Sequence, residues 1–198
     1  MIPPRRDAGQ AFPIYITVVA GLLFLALAYL AVGQASVNRS GAQTAADAAA
    51  LAAAQSERDQ LAAQWVKVLP DPAKWQAIFE GRATFVGPDP CERAGQLAKQ
   101  NDAVLNDCLP PGLLKYRVDV RTNKSVGRSV VPGSENYQST ASATAEIKSL
   151  CTFNPPAGGA EGDALPALTC NGKVWHLKPD DTTGLPKPED LFDVHLAG

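Results

Sequence analysis

From Ala8 to Asn38 the sequence has no Asp, Glu, Lys or Arg. Histidine is nearly absent as well, with only His176 and His195. There is no GxSxG, no P-loop, no HExxH and no dinucleotide fingerprint, so the usual signatures of hydrolytic, phosphate-binding and nicotinamide chemistry are missing. Asp180-Asp181 and Glu189-Asp190 are acidic pairs of the kind that water normally solvates, and they make no catalytic set. The four cysteines form neither a CxxC nor a Cys/His cluster, which argues against a zinc or thioredoxin-type site. Lys and Arg number 18 against 20 Asp and Glu, with neither a basic patch for nucleic acid nor an acidic block for a solvated tail. Aromatic residues are 7% of the chain, so any core is small. These absences predict no enzyme, no cofactor, no metal, no nucleic-acid partner and no small-molecule substrate.

What is present is an apolar run from Ala11 to Gly33 inside the uncharged stretch. A bilayer's hydrocarbon core takes roughly 20 such residues as a helix, and in lipid a helix satisfies every backbone amide internally. The run therefore predicts a transmembrane helix over 11–33 in contact with the lipid bilayer. Arg5 and Arg6 precede it, and the next cation is Arg39. The positive-inside rule then puts residues 1–10 in the cytoplasm as a short tail and residues 34–198 outside. A cleaved secretory signal is the competing reading, with Ala31-Val32-Gly33 as a loose cleavage site. Signal cores span about 7–15 apolar residues, and this run is longer, so an anchor is expected.

Helical character continues beyond the span. Between Ala42 and Ala54 nine of thirteen residues are Ala, the best helix former. Leu51, Leu61, Trp65 and Val68 follow near helical spacing, and Pro70 and Pro72 end the run. Residues 34–69 read as an alanine-rich helical stalk. Ala42, Ala46, Ala50 and Ala54 repeat every four residues, a spacing that lets a partner, or the chain's own domain, approach closely. The alternative is a plain spacer helix.

Residues 70–178 read as an α+β domain outside the membrane. A short helix is expected over Ala73–Phe79 and another over Cys91–Val104, closed by Pro110-Pro111-Gly112. The period then becomes two. Tyr116 to Arg121 and Thr140 to Lys148 alternate apolar and polar residues, as half-buried strands do. Val126–Val131 is a weaker strand, and Pro132-Gly133-Ser134 a turn. The small face Ala141, Ala143, Ala145 and Ile147 predicts a helix lying against the sheet. Residues 154–167 read as a loop. Asn171-Gly172 predicts a tight hairpin. Residues 179–198 read as a Pro-rich polar tail, with one helical turn near Asp190 and a mobile His195.

Cys91, Cys108, Cys151 and Cys170 all fall on the oxidising side, where disulfides persist. Of the three possible pairings the sequential one, Cys91–Cys108 and Cys151–Cys170, is expected, because each closes a local loop of similar size. Loops of that length stabilise by about 3 kcal/mol in the chain-entropy model.

Two segments flank the span: Arg6-Asp7-Ala8-Gly9-Gln10-Ala11 before it, and Ala42-Gln43-Thr44-Ala45-Ala46-Asp47-Ala48-Ala49-Ala50-Leu51-Ala52 after it. With the span between them, the first 55 residues resemble the TadE/TadG-like proteins of bacterial Flp (tight-adherence) pilus assembly. Thr140 to Glu146 is similar to a strand these proteins carry. With the helices and strands read above, the expected fold is α+β, a long N-terminal transmembrane helix continuing into a small domain with an antiparallel sheet, which the resemblance implies is pilin-like. The resemblance also implies a non-catalytic structural role, with other pilus assembly proteins or pilins as partners. Processed pilins carry a Glu five residues after the cleavage-point glycine. Counting from Gly9 that residue is Ile14, and Pro13 interrupts the segment, so an uncleaved, TadG-like chain is expected. The second function class is a membrane-anchored extracytoplasmic binding module unrelated to pili.

Overall fold

In the computed structural model the described residues are 11–83, 87–125, 136–154, 165–179 and 183–198. The expected tail over 1–10, the weak strand Val126–Val131, the turn Pro132-Gly133-Ser134, most of the loop 154–167 and the pair Asp180-Asp181 lie outside them.

One helix, α1 (Ala11–Lys67), runs unbroken for 57 residues, about 86 Å at 1.5 Å per residue. It has two parts with different surroundings. Over Phe12–Leu30 the mean hydropathy is 2.2 and none of the stretch is buried by the protein itself. Phe12, Leu22, Phe24, Leu25 and Tyr29 all stand in the open. From Ala42 onward the same helix is the centre of a folded domain, with Ala42, Ala45, Ala46, Ala49, Ala50, Ala53 and Ala54 fully buried. The fold is thus mixed helix and antiparallel sheet, with a helix of membrane-span length leading into the sheet domain.

A short 3-10 turn, Pro72–Lys74, leads into α2 (Trp75–Phe79). α3 (Pro90–Gln100) starts on Pro90, whose missing N–H costs nothing in a first turn. Asp89 caps it by accepting from the Cys91 amide at 2.9 Å. The small faces Ala94 and Ala98 let α3 pack closely on α1.

Four strands form the main sheet in the order β1-β2-β3-β7, all antiparallel: β1 (Ala103–Gly112), β2 (Lys115–Thr122), β3 (Thr140–Ser149) and β7 (Phe192–Leu196). Tyr116, Val118, Val120 and Thr122 of β2, with Ala141, Ala143, Ala145 and Ile147 of β3, form its inner face toward α1. Lys115, Arg117, Asp119 and Arg121 stand on the outer face. Alanine on both surfaces allows the helix axis to come near the sheet. Three short strands, β4 (Cys151–Thr152), β5 (Leu168–Cys170) and β6 (Lys173–Trp175), form a second sheet. Asn171 (φ 49°) and Gly172 (φ 81°) make the β5–β6 turn, the left-handed pair that a two-residue hairpin requires. Between them, the last turns of α1, α2 and the small sheet enclose an aromatic cluster. Trp65 meets Trp75 edge-on at 5.6 Å, Trp75 meets Phe153 at 5.2 Å, and Phe79 meets Phe192 at 5.6 Å.

Two expectations change. The helix expected to reach Val104 ends at Gln100, and Ala103–Gly112 is a strand that includes Pro110 and Pro111. β1 is an edge strand, and Pro110 and Pro111 fall in its register shift between Leu109 and Gly112, where neither is paired with β2. The turn that follows is Leu113-Leu114, with Leu114 at φ 58°. Its side chain packs on the core beneath Gly81, where any Cβ would lie 2.6 Å from Leu114 Cγ. Second, residues 179–198 are not simply a tail. α4 (Pro188–Leu191) carries the buried Leu191, and β7 pairs with β3. The apolar residues Phe192, Val194 and Leu196 alternate with polar ones, and Phe192 closes the aromatic cluster. Accordingly His195 is held in β7, with Nδ1 2.9 Å from Asp193 Oδ2. The helix over 34–69 packs from Ala42 onward as the domain's own core.

Candidate functional site

The candidate site is the junction where the apolar helix enters the sheet domain. The first tie is at Asn38. Its amide donates to the Lys124 carbonyl at 3.3 Å, and its carbonyl oxygen accepts from the Thr122 hydroxyl at 3.1 Å. The same hydroxyl accepts from the Ser139 amide at 3.1 Å. Thr122 and Ser139 are the two buried polar residues here, and this network satisfies both. Eight residues separate Asn38 from Leu30, about 12 Å along a helix. The β2–β3 end of the sheet therefore lies just beyond the apolar span.

The alanine positions singled out from the sequence come together. Ala42, Ala46, Ala50 and Ala54 are each at 0% exposure. They share this with Ala45, Ala49 and Ala53, so the buried surface is a broad face and not one stripe. α1 packs through it on β3, β2 and α3. Asp47 lies at the margin, half-buried, and accepts from the Gln43 side-chain amide at 2.8 Å.

The disulfides fasten the pieces around this helix. Cys91–Cys108 joins the first turn of α3 to β1, and Cys151–Cys170 joins β4 to β5 at directly opposed positions. Peptide mapping without reductant is expected to yield these two linked pairs. A Cys91–Cys151 peptide would refute the pairing.

One charged group inside the helix–sheet contact was not read from the sequence. Glu57 of α1 accepts from the Tyr116 hydroxyl of β2 at 3.3 Å. Burial pushes the Glu57 carboxyl above the usual carboxylate range, and the tyrosine hydrogen bond offsets this only in part. Tyr116 is itself raised, by burial first and then by the neighbouring carboxylate. A carboxyl raised on folding holds its proton more tightly in the native state. Its contribution is therefore full below the ordinary carboxyl value and lost as pH rises through the raised one. Glu57→Gln is expected to raise the thermal midpoint at pH 7, with the gain shrinking toward pH 4. A midpoint difference independent of pH would show that Glu57 titrates normally.

Among the described residues no group of three His, Cys, Asp or Glu is placed to hold a metal. His176 is exposed after β6. Two open grooves line the α1–β3 side. One of about 320 Å³ includes Gln43, Asp47, Arg117 and Thr144, and one of about 620 Å³ includes Ser36, Arg39, Ser40 and Thr140. No sequence signal marked these grooves. Sequence reasoning missed the strand β7, although the strict alternation of Phe192 to Leu196 was a signal for it.

No curated protein and no solved structure matches the chain. A family model described as Flp pilus-assembly TadE/G-like matches residues 9–56. This segment, about a quarter of the chain, covers the apolar span, the Asn38 junction and the buried alanine face, and over it the chain is similar to the TadE/G-like Flp pilus-assembly family.

Proposed function

We propose that this protein is a single-pass, non-catalytic structural component of a Flp-type pilus assembly system in the bacterial cytoplasmic membrane. In this reading it has a pseudopilin or minor-pilin role, with residues 1–10 inside and the sheet domain outside. The pilus-assembly role rests on the likeness over residues 9–56. One observation supports the finer reading above all. A single helix changes, without a break, from fully exposed apolar surface at Phe12–Leu30 to fully buried alanine surface at Ala42–Ala54. Lipid covers exposed apolar surface of that length, and a helix that continues straight into a folded core transmits position from membrane to domain. Its partners are the bilayer and other pilus assembly proteins or pilins.

Topology tests the arrangement. With Pro3→Cys the engineered thiol should be shielded from an impermeant reagent in intact cells, and with Lys187→Cys it should be labelled. The reverse pattern would overturn the orientation. Deleting the gene in its host is expected to abolish pili. Normal piliation would leave the alternative, a binding module unrelated to pili.

A further inference from the structure

The end of the sheet domain nearest the apolar span differs in charge from the rest of the chain beyond the span, which has more Asp and Glu than Lys and Arg. Arg39 is the first charge after the span. Lys124 stands level with Asn38, because its carbonyl accepts from the Asn38 side-chain amide at 3.3 Å, and its own side chain is 80% exposed. Arg121 lies on the outer face of β2, exposed, in register with Val104 of β1 and Thr140 of β3. Neither Arg39 nor Arg121 makes an ion pair among the described residues. Asp102 lies 3.1 Å from Lys124 Nζ, but both side chains stand in water, where such a pair is weak and exchanges readily for another anion. Asp119, the next acid along β2, is already engaged by Arg117 and Ser142. Tyr137 is 66% exposed beside Gln138, whose side-chain amide donates to the Asn123 carbonyl at 3.1 Å. An open tyrosine among cations, next to an apolar span, is the composition found at membrane interfaces.

The helix sets the depth of this end. α1 is unbroken through the junction, and its exposed apolar side chains continue beyond Leu30 to Val32 and Val37. Asn38 is five residues beyond Gly33, about 8 Å along the axis. The headgroup layer is about 5–8 Å deep on each side of the hydrocarbon core. Lys124, tied to Asn38, therefore stands at the outer rim of that layer, and Arg121 is one residue from Thr122, which is tied to Asn38 as well. We propose that this end of the sheet domain rests on anionic phospholipid headgroups of the bilayer that the span crosses. Arg121 and Lys124 meet the phosphates, and Tyr137 lies among the headgroups. The inference rests on the membrane-anchored reading and names the lipid class within it. Each cation near an anionic surface shifts the contact equilibrium about fivefold, and Arg39 extends its stem from the helix toward the same layer. The contact fixes the tilt of the domain over the membrane, which a single spanning helix alone leaves free.

The test uses the full-length protein in lipid nanodiscs, with a fluorophore on Asn123→Cys and a spin label on the lipid headgroups as quencher. The native cysteines are paired and take no label. Quenching in phosphatidylcholine mixed with phosphatidylglycerol should be at least twice that in phosphatidylcholine alone, and high salt should return it to the neutral-lipid level. Arg121→Glu combined with Lys124→Glu should abolish the difference between the two lipids, and Tyr137→Ala should reduce quenching in both. A fluorophore on Leu113→Cys, at the β1–β2 turn on the far end of the sheet, should stay unquenched in every disc. The salt series needs no further substitution, so it decides even if the double reversal misfolds. Equal quenching in neutral and anionic discs, or quenching that survives high salt, would overturn the contact. In the host, a photo-crosslinking residue replacing the exposed Asn136 should capture phospholipid. A protein adduct without a lipid adduct would give this surface to a protein partner and overturn the proposal. A chain that does not enter the discs would overturn span and contact together. One that enters them without lipid dependence would overturn the contact alone and leave the membrane-anchored reading standing.

Discussion

Replacing Ala46 and Ala50 together with Leu should unfold the sheet domain or lower its stability by about 2–6 kcal/mol, at roughly 1–3 kcal/mol for each overpacked site. Both positions are fully buried in the face of α1 that meets the sheet and α3. Alanine there sets the distance between helix and sheet, and three extra carbons per residue have no space to occupy. The surrounding surfaces cannot give way easily, because Ala145 of β3 and Ala94 and Ala98 of α3 are fully buried as well. The apolar span lies more than ten residues away along the same helix, so membrane insertion should be unchanged. Ala63→Leu is the control. Ala63 is exposed, and a surface change of this kind stays within about 0.5 kcal/mol. Denaturant melts of the detergent-solubilised protein measure both. A double mutant that melts like the parent would mean that the alanine block is a spacer.

Phe192→Ala should cost about 3–5 kcal/mol, the range for deleting a buried aromatic ring. Phe192 is 1% exposed, packs on Phe79 at 5.6 Å and follows the buried Leu191. It also begins β7, whose pairing with β3 runs from Ser149–Phe192 to Ala145–Leu196. The loss should appear in the same unfolding transition as the rest of the domain, measured by the melt of the intact protein. A loss under about 0.5 kcal/mol, as for a surface site, would show that the last residues are a tail after all.

The parts of the fold legible in the sequence are those written in period or in turn chemistry. The helix over the apolar span and the alanine block, the strands at Tyr116–Arg121 and Thr140–Lys148, and the Asn171-Gly172 hairpin each follow from local rules. What was misread depended on context. Pro110 and Pro111 resemble a terminator, yet on an edge strand they are harmless. Leu113-Leu114 has no turn signature, and its positive φ is stabilised by the burial of Leu114 under Gly81. In Phe192 to Leu196 the alternation was present but was masked by the Pro-rich residues before it. Glu57 and Tyr116 lie in unrelated segments, and only the packing of α1 on β2 brings them together. The alanine spacing pointed to close approach but not to its object, and the structure supplies the sheet.

A cysteine scan of α1 in sealed native membranes, read with an impermeant thiol reagent, is the most direct test that one helix is both membrane span and domain core. The four native cysteines are paired in disulfides and stay silent. Positions from Phe12 to Leu30 should resist labelling on every face of the helix, because lipid surrounds it. Beyond the junction labelling should become periodic. Cysteines replacing Gln55, Asp59 and Ala63 should react, and those replacing Ala46, Ala50 and Ala53 should not. Periodic labelling within 12–30, or uniform labelling from 42 to 66, would contradict the arrangement.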